Sequence, residues 1–182
     1  MTERVIIAGA GGQGIMLLGK IVAMAAMREN RYTTWLPCYG AEVRGGTAYC
    51  MVTISDVKIG SPFIDLADTL IIMNAPSMGK FRQRIKRNGL LIVNSSLVDV
   101  PPKMPVRAFA YPFTDTALRL GNIKMANVVS LGSFLAARQL FKVGTVLKII
   151  EQFAPVGKTE LIESNKKALM AGIGFHKQED VA

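Results

Sequence analysis

The sequence has very little of the chemistry that holds metals and clusters. Its 182 residues include two cysteines, Cys38 and Cys50, and one histidine, His176. The cysteines form no CxxC pair and are too few to ligate an iron–sulfur cluster, so we interpret them as reduced thiols of a cytoplasmic protein. His176 lies near the end of the sequence, where a surface residue is a better interpretation than a catalytic base. The sequence therefore predicts no metal site.

A membrane-spanning run and a secretion signal are also lacking. The apolar stretch at residues 14–27 is too short to cross a bilayer, and it contains Lys20. The first residues, MTERVIIAGAGG, do not contain an apolar segment followed by a cleavage site. We therefore expect a cytoplasmic protein with no membrane insertion.

Apolar residues, by contrast, are plentiful. Hydrophobic residues make up 50% of the chain, and its mean hydropathy is +0.30. This composition fits either a generous core or apolar surface that partner subunits cover; the second interpretation predicts self-association of the isolated chain. The length favours one compact domain that spans residues 1–182.

Positive charge is in excess and is concentrated in one stretch. The net charge is +9, and five of the eight residues from Lys80 to Arg87 are basic. A solvated helix face is the simplest interpretation of this run, and an acidic protein partner or a phosphate-bearing ligand are the alternatives. No basic motif is interleaved with aromatic residues, so nucleic-acid binding is not expected.

Strand-like and helix-like segments alternate in the first part of the sequence, and a helical region follows. This order predicts a single α/β, Rossmann-like layered domain with a mainly parallel or mixed sheet and a helical C-terminal region. Pro37 is expected to end the second strand. The predicted strands are residues 4–9, 32–37, 47–55, 69–74, 89–96 and 105–112. The predicted helices are residues 12–30, 114–121, 125–141, 145–153 and 159–175.

A glycine cluster, GAGGQG, joins the first predicted strand to the first predicted helix. Gly9, Gly11 and Gly14 have the G-x-G-x-x-G spacing in the strand–turn–helix context that this motif requires. Glycines permit a tight turn and bring a ligand close to the amides of the helix N-terminus. We therefore predict an anion-binding turn that consists of Gly11, Gly12, Gln13 and Gly14. The alternative is that the glycines only permit close strand–helix packing, for which a polar amide at Gln13 is not needed.

Two better-known phosphate motifs are incomplete. An NAD-binding turn is normally followed about 20 residues later by an acid at the end of the second strand that holds the ribose, but here no acid follows the second predicted strand before Glu42. Gly157, Lys158 and Thr159 resemble the end of a Walker A motif, but Gln152 stands where the earlier glycine is required. We therefore expect Thr159 to begin an ordinary helix.

The segment YGAEVRGGTAYC, which begins at Tyr39, places polar residues and glycines just after the second strand. If the strands are parallel, this loop meets the glycine turn at the carboxyl edge of the sheet. Arg44 could then bind a phosphate or carboxylate, and Glu42 could orient Arg44. Tyr39 would line the site, and Gly45 and Gly46 would leave room for the ligand. The alternative is a local Glu–Arg pair that stabilises the loop.

Another polar residue lies at the start of an apolar helix, in the segment MANVVSLG. We predict that Asn127 forms a second wall of the same site. The alternative is that Asn127 caps its own helix.

Four segments together resemble the gamma subunit of 2-oxoacid:ferredoxin (acceptor) oxidoreductases, and most closely the 2-oxoglutarate type. In chain order they are GAGGQGI, YGAEVRGGTAYCMVTISDVKIGSP, NSS and MANVVSLGSF. The resemblance extends from Val5 to about Gly172. There are two small departures: Ala41 stands where many relatives have proline, and Val43 occupies a variable position.

The resemblance implies a multi-subunit enzyme that decarboxylates a 2-oxoacid on thiamine diphosphate. The acyl group passes to coenzyme A, and electrons pass through iron–sulfur clusters to ferredoxin or another acceptor. This chain has no G-D-G segment with paired asparagines for thiamine diphosphate and magnesium, and too few cysteines for a cluster. Those cofactors are therefore expected on alpha, beta and delta-type partner subunits. This chain is expected to have no catalytic residue and no activity alone, and to support assembly and coenzyme A binding.

Three alternatives remain open. The enzyme could act on pyruvate, a branched-chain 2-oxoacid or indolepyruvate instead of 2-oxoglutarate. The chain could be a free-standing nucleotide-binding protein. It could also be a scaffold whose glycine turn holds no ligand.

Overall fold

The computed structural model describes residues 1–38, 47–99, 104–155 and 157–179. These residues form an α/β fold around a six-stranded mixed sheet with the order β2-β3-β1-β4-β5-β6, which confirms the predicted fold class. The strands are β1 (Thr2–Ala10), β2 (Tyr32–Cys38), β3 (Thr47–Ser55), β4 (Ala67–Ile72), β5 (Ile85–Asn94) and β6 (Arg107–Tyr111).

The pairing of β1 determines what lies at each edge of the sheet. β1 pairs in parallel with β4, and parallel pairing continues through β5 to β6. On its other side β1 pairs with β3 in the antiparallel direction, so that Ala10 lies opposite Thr47. β2 is antiparallel to β3, with Cys38 opposite Tyr49. The carboxyl ends of β1, β2, β4, β5 and β6 therefore share one edge with the first residue of β3.

Pro37 lies inside β2, so the prediction that it ends this strand is wrong. It is opposite Cys50 of β3, and the strand continues to Cys38. β2 is one of the two edge strands of the sheet. An edge strand tolerates proline because its amide groups do not all need a partner in the sheet.

Most helices lie close to their predicted positions, but one was not predicted. The unpredicted helix α2 is short. Asn74 caps its N-terminus, because the Asn74 side chain accepts a hydrogen bond from the Ser77 amide at 3.1 Å, and a proline lies in its first turn. The helices are α1 (Ile15–Arg28), α2 (Ala75–Phe81), α3 (Phe113–Arg119), α4 (Ala126–Arg138), α5 (Val143–Phe153) and α6 (Thr159–Glu179), with a 3₁₀ turn at Ile123–Met125.

The helices are divided unequally between the two faces of the sheet. Residues of α1, α3, α4, α5 and α6 form the larger apolar core on one face, whereas α2 contributes Met78 and Phe81 to a smaller cluster on the other. α1 is buried on most sides, as its composition predicts, and burial of each large aliphatic side chain such as Leu18 stabilises the fold by roughly 1.5–3 kcal/mol. No helix in the described ranges is both long and apolar enough to cross a membrane.

The basic run does not form a solvated helix face, so that interpretation is wrong. The helix ends at Phe81, and the run continues into β5. The Arg84 guanidinium lies 5.8 Å from the centre of the Phe81 ring and 5.4 Å from that of Phe63. Lys86 Nζ lies 2.5 Å from a carboxylate oxygen of Asp68. The sequence could not show the contacts with Phe63 and Asp68, because Phe63 comes from the loop before β4 and Asp68 from β4 itself.

His176 is partly exposed and also packs against neighbouring side chains. Its ring is half-buried and contacts the edges of two aromatic rings, at 4.4 Å from Phe109 and 5.2 Å from Tyr111 between ring centres. Its Nε2 atom lies within hydrogen-bonding distance (3.1 Å) of Ser133 Oγ. Packing of α6 on α4 and β6 therefore accounts for its position.

Candidate functional site

The glycine turn lies where the sequence predicts it, between the carboxyl end of β1 and the start of α1. Gly12 has a φ of +86° and Gly14 a φ of +71°, a backbone conformation that favours glycine. Gly14 precedes the first helical residue and provides no capping side chain. The amides of the first turn therefore combine unpaired N–H groups with the positive end of the helix dipole.

Gln13 has a structural role in this turn. Its Oε1 atom accepts a hydrogen bond from the Ala10 amide at 2.7 Å, and its Nε2 atom donates to the Met73 carbonyl at 3.2 Å. The side chain thus joins the ends of β1 and β4. Its polarity is explained by this bridge, so the argument that packing alone would not need an amide here is wrong. Its contact with a ligand stays a prediction.

A second amide continues this network along the carboxyl edge. Asn94, at the end of β5, is fully buried and donates to the Met73 carbonyl at 3.2 Å and to Thr114 Oγ1 at 2.8 Å. Its Oδ1 atom accepts from the Thr114 amide at 3.2 Å. The ends of β4 and β5 and the start of α3 are therefore fixed relative to the glycine turn.

Asn127 lies against the glycine turn, and its contribution to a ligand site stays a prediction. It is the second residue of α4 and is 4% exposed, and its Nδ2 atom donates to the Gly14 carbonyl at 3.2 Å. It does not cap its own helix, which excludes that alternative. A methyl group on Gly14 would overlap this amide nitrogen, so glycine is required there for packing as well as for backbone conformation. The Asn127 Oδ1 atom is buried without a hydrogen-bond partner among the described residues.

Lys124 is a component of the site that the sequence did not indicate. It is exposed on the 3₁₀ turn and lines two adjoining cavities. One, of about 140 Å³, includes Gly12 and Gln13, and the other, of about 200 Å³, includes Asn127. A lysine in a short turn matches no sequence motif, and Lys124 lies near the glycine turn only because of the fold.

The loop residues predicted for the opposite wall lie outside the described residues. They are Tyr39, Glu42, Arg44, Gly45 and Gly46. The residues on either side of them, Cys38 and Thr47, belong to strand ends at the carboxyl edge, which is also the edge of the glycine turn. The proposed contribution of this loop to the site stays a prediction.

Most side chains that line the two cavities are apolar or uncharged. Lys124 is their one charged lining residue, and no aspartate, glutamate, histidine or cysteine lines either cavity within the described ranges. A cation, helix amides and a buried acceptor on Asn127 can bind a ligand with both anionic and hydrogen-bond-donating groups. They do not form a nucleophile–base pair or an acid–base pair.

The two cysteines are free thiols, as predicted. Cys50 is fully buried against α1, and burial raises the pKa of its thiol to about 12. It is therefore an unreactive thiol at neutral pH. No group of three or more potential metal-ligating side chains occurs in the ranges that the structure describes.

Comparison with known proteins relates this chain to oxidoreductase subunits. The family model for pyruvate ferredoxin/flavodoxin oxidoreductase matches residues 4–175. The ketoisovalerate oxidoreductase subunit VorA of Methanothermobacter marburgensis is 36% identical over 96% of this chain and 37% of its own length. The chain thus spans little more than a third of that relative. The 2-oxoglutarate synthase subunit KorC of Methanocaldococcus jannaschii is 32% identical over 88% of each chain.

Solved structures have the same fold. The gamma subunit of a keto/oxoacid ferredoxin oxidoreductase from Geobacter sulfurreducens PCA matches with a TM-score of 0.81 and 28% identity, over 93% of this chain and 95% of that one. The 2-oxoglutarate:ferredoxin oxidoreductase of Magnetococcus marinus, with 2-oxoglutarate, coenzyme A and succinyl-CoA bound, matches with a TM-score of 0.87 over 97% of this chain and 31% of that one. At 23% identity, the second match concerns the fold alone.

Proposed function

The chain belongs to the pyruvate ferredoxin/flavodoxin oxidoreductase family, and on this premise we propose that it is the gamma-type subunit of a 2-oxoacid:ferredoxin oxidoreductase complex. The match to a separate gamma subunit along nearly the whole of both chains supports this role. The complex would convert a 2-oxoacid and coenzyme A into an acyl-CoA and CO₂, with reduction of ferredoxin or another acceptor.

The 2-oxoacid is part of the proposal. The sequence resemblance favoured 2-oxoglutarate, and the KorC relatives support it. Ketoisovalerate is the second candidate, because the VorA relatives have the higher identity of 36%. The described part of this chain contains no group at the glycine turn that would select one 2-oxoacid side chain over another. The choice therefore depends on the partner subunits and is decided by assay of the complex with both acids.

The role proposed for this chain is assembly and ligand binding, without catalysis. The described residues that line the two cavities form no acid–base pair and no nucleophile–base pair. Thiamine diphosphate, magnesium and iron–sulfur clusters are assigned to alpha, beta and delta-type partner subunits. The glycine turn and the surrounding edge of the sheet would face the coenzyme A that takes part in the reaction.

One observation in particular supports coenzyme A as the ligand. The Asn127 Oδ1 atom is buried without a partner among the described residues, beside helix amides and near Lys124. A buried acceptor without a hydrogen bond costs about 1–3 kcal/mol, so a ligand that donates a hydrogen bond there is favoured. Coenzyme A has phosphates for the helix amides and for Lys124, and amide N–H groups for Asn127. When bound, it supplies the thiol that accepts the acyl group.

Lys124→Gln should weaken coenzyme A binding roughly five- to tenfold, because one charge-assisted contact with a phosphate is lost. The stability of the fold should not change, since Lys124 is exposed. The measurement is isothermal titration of the full chain with coenzyme A, and with pantetheine, which lacks the phosphates. Pantetheine affinity should be the same for the parent chain and the variant.

Lys142→Gln is the matched control, because Lys142 is also exposed but lies at the start of α5 and lines neither cavity. It should leave the affinity for coenzyme A unchanged. Equal losses in both variants would mean that the net positive charge, not this site, attracts the ligand. Tighter binding of NAD or FAD than of coenzyme A would favour a free-standing nucleotide-binding protein.

A further inference from the structure

A groove at the amino edge of the sheet combines cations with apolar side chains. It lies between the turn after α2 and the start of β6, and it has a volume of about 540 Å³. Because β5 and β6 begin at this edge, the groove is at the opposite end of the strands from the glycine turn. Its main lining residues are Arg82, Ile85, Lys86, Arg87, Met104 and Val106.

Two of the cations that line the groove have no acidic partner among the described residues. Arg82 and Arg87 are exposed, and no carboxylate of the described residues lies within 4.0 Å of either. Lys86 is paired with Asp68 and is therefore neutralised. Two cations thus remain at the rim, in a chain whose net charge is already +9.

The floor of the groove is apolar and only partly covered. Ile85, Met104 and Val106 are half-buried and pack against the smaller apolar cluster. α2, a helix of seven residues, is the one helix of the described ranges that contributes to this cluster. The floor of the groove is therefore only partly covered by the described residues, and it offers apolar contact area to another molecule.

We propose that this groove is the docking site for an acidic segment of a partner protein, with apolar side chains on the floor and carboxylates at Arg82 and Arg87. Guanidinium groups bind carboxylates through paired hydrogen bonds, and the surrounding positive charge increases the rate of encounter. A small phosphate ligand would engage the cations and leave the floor uncovered. The proposal concerns a surface separate from the glycine turn and does not depend on coenzyme A binding.

The test uses a short fluorescein-labelled peptide that alternates glutamate with leucine, titrated into the full chain and followed by fluorescence anisotropy. Two matched peptides replace either every glutamate by glutamine or every leucine by serine. We expect both replacements to weaken binding by roughly tenfold or more, because both the charge and the apolar contact contribute.

Two double variants separate the groove from the general positive charge. Arg82→Glu with Arg87→Glu should weaken binding of the glutamate–leucine peptide by roughly tenfold or more. The double variant Lys142→Glu with Lys148→Glu causes the same change in net charge. Both lysines are exposed; Lys142 directly precedes α5, Lys148 lies within it, and α5 packs on the other face of the sheet. This control should weaken binding by no more than about twofold.

Three results would overturn the proposal. One is an equal loss in both double variants. Another combines two observations: the peptide with serine in place of leucine binds as tightly as the glutamate–leucine peptide, and inorganic pyrophosphate binds equally strongly and depends on Arg82 and Arg87. Together they would indicate an anion site. The third is groove-dependent binding of phosphatidylserine vesicles by a chain that does not bind the peptide, which would indicate a membrane surface.

Discussion

Gly172→Ala should lower the free energy of unfolding by roughly 3 kcal/mol, the upper part of the range for added volume in a packed core. Gly172 lies where α6 crosses α4. A methyl group there would overlap the carbonyl oxygen of Val129 and lie 2.9 Å from its carbonyl carbon and 3.0 Å from the Gly132 Cα atom. These neighbours are backbone atoms that cannot rotate away, so the two helices would have to separate.

Gly174→Ala is the matched control in the same helix. Among the described residues, no atom outside the neighbouring backbone of α6 lies within 4 Å of the position that its methyl group would occupy. Alanine is also the better helix former, so this variant should be more stable by about 0.5–1 kcal/mol. Urea unfolding followed by circular dichroism measures both changes. Similar midpoints for the two variants would contradict the close crossing of α4 and α6.

The other side of the crossing gives a second check. A methyl group on Gly132 would overlap the Leu169 carbonyl oxygen and lie 2.9 Å from the Ile173 amide nitrogen. Because a single separation of the helices relieves both overlaps, the double alanine variant should lose less stability than the sum of the two single changes. α4 also carries Asn127, so separation of the helices should weaken binding at the glycine turn as well.

Arg138→Met should lower the free energy of unfolding by roughly 3 kcal/mol at neutral pH, because it leaves a buried carboxylate without its partner. Arg138 Nε lies 3.0 Å from a carboxylate oxygen of Glu3 and donates to Thr69 Oγ1 at 2.8 Å. Its Nη2 atom donates to the Asp68 carbonyl at 2.7 Å. Arg138 therefore joins the end of α4 to the amino ends of β1 and β4.

This loss of stability should depend on pH. Burial raises the pKa of Glu3 above its ordinary value of 4.5, while the hydrogen bond from Thr69 and the charge of Arg138 act in the opposite direction. Without Arg138 the pKa should rise further. A raised pKa in the folded state means that stability is greatest below 4.5 and falls as the pH rises through the folded-state value. The deficit of the variant should therefore shrink as the pH is lowered from 7 towards 4.5.

Two further variants test this explanation. Glu3→Gln combined with Arg138→Met should recover most of the lost stability, since no buried charge is left unpaired. Lys166→Met removes a partly exposed side chain whose Nζ atom lies 3.2 Å from Glu151 and 3.0 Å from Glu163, and it should change the melting temperature little. A pH-independent deficit in Arg138→Met, or no recovery in the double variant, would show that Glu3 is not the cause.

The parts of the site that the sequence predicted are those determined by local pattern. The glycine turn was found because a buried strand, a G-x-G-x-x-G spacing and an apolar helix follow one another directly. The structural role of Gln13 could not be predicted, because its partner Met73 is 60 residues away. Asn127 was expected near this turn because it is a polar side chain at the start of an apolar helix. Its hydrogen bond to Gly14, 113 residues away, and the position of Lys124 depend on the packing of α4 beside α1, which the sequence does not show.

For the strands too, the sequence predicted local features but not contacts between distant segments. Their positions were predicted from apolar runs, but a run does not reveal which strand it pairs with or in which direction. The antiparallel insertion of β3 beside β1 places β2 at the edge, where Pro37 is tolerated. The basic run was assigned to a helix because the side chains that contact Arg84 and Lys86 come from other segments.

The most direct test of the proposed role measures the reduction of a viologen dye that requires both a 2-oxoacid and coenzyme A. The activity is measured for the chain alone and for the complex that it forms. The chain is tagged in its source cells, purified at native abundance, and assayed with 2-oxoglutarate, ketoisovalerate, pyruvate and indolepyruvate. We predict that activity elutes with the complex, is absent from the isolated chain and returns when the isolated chain is recombined with its partners. Turnover by the chain alone, or an active enzyme that elutes without it, would contradict its role as a non-catalytic gamma-type subunit.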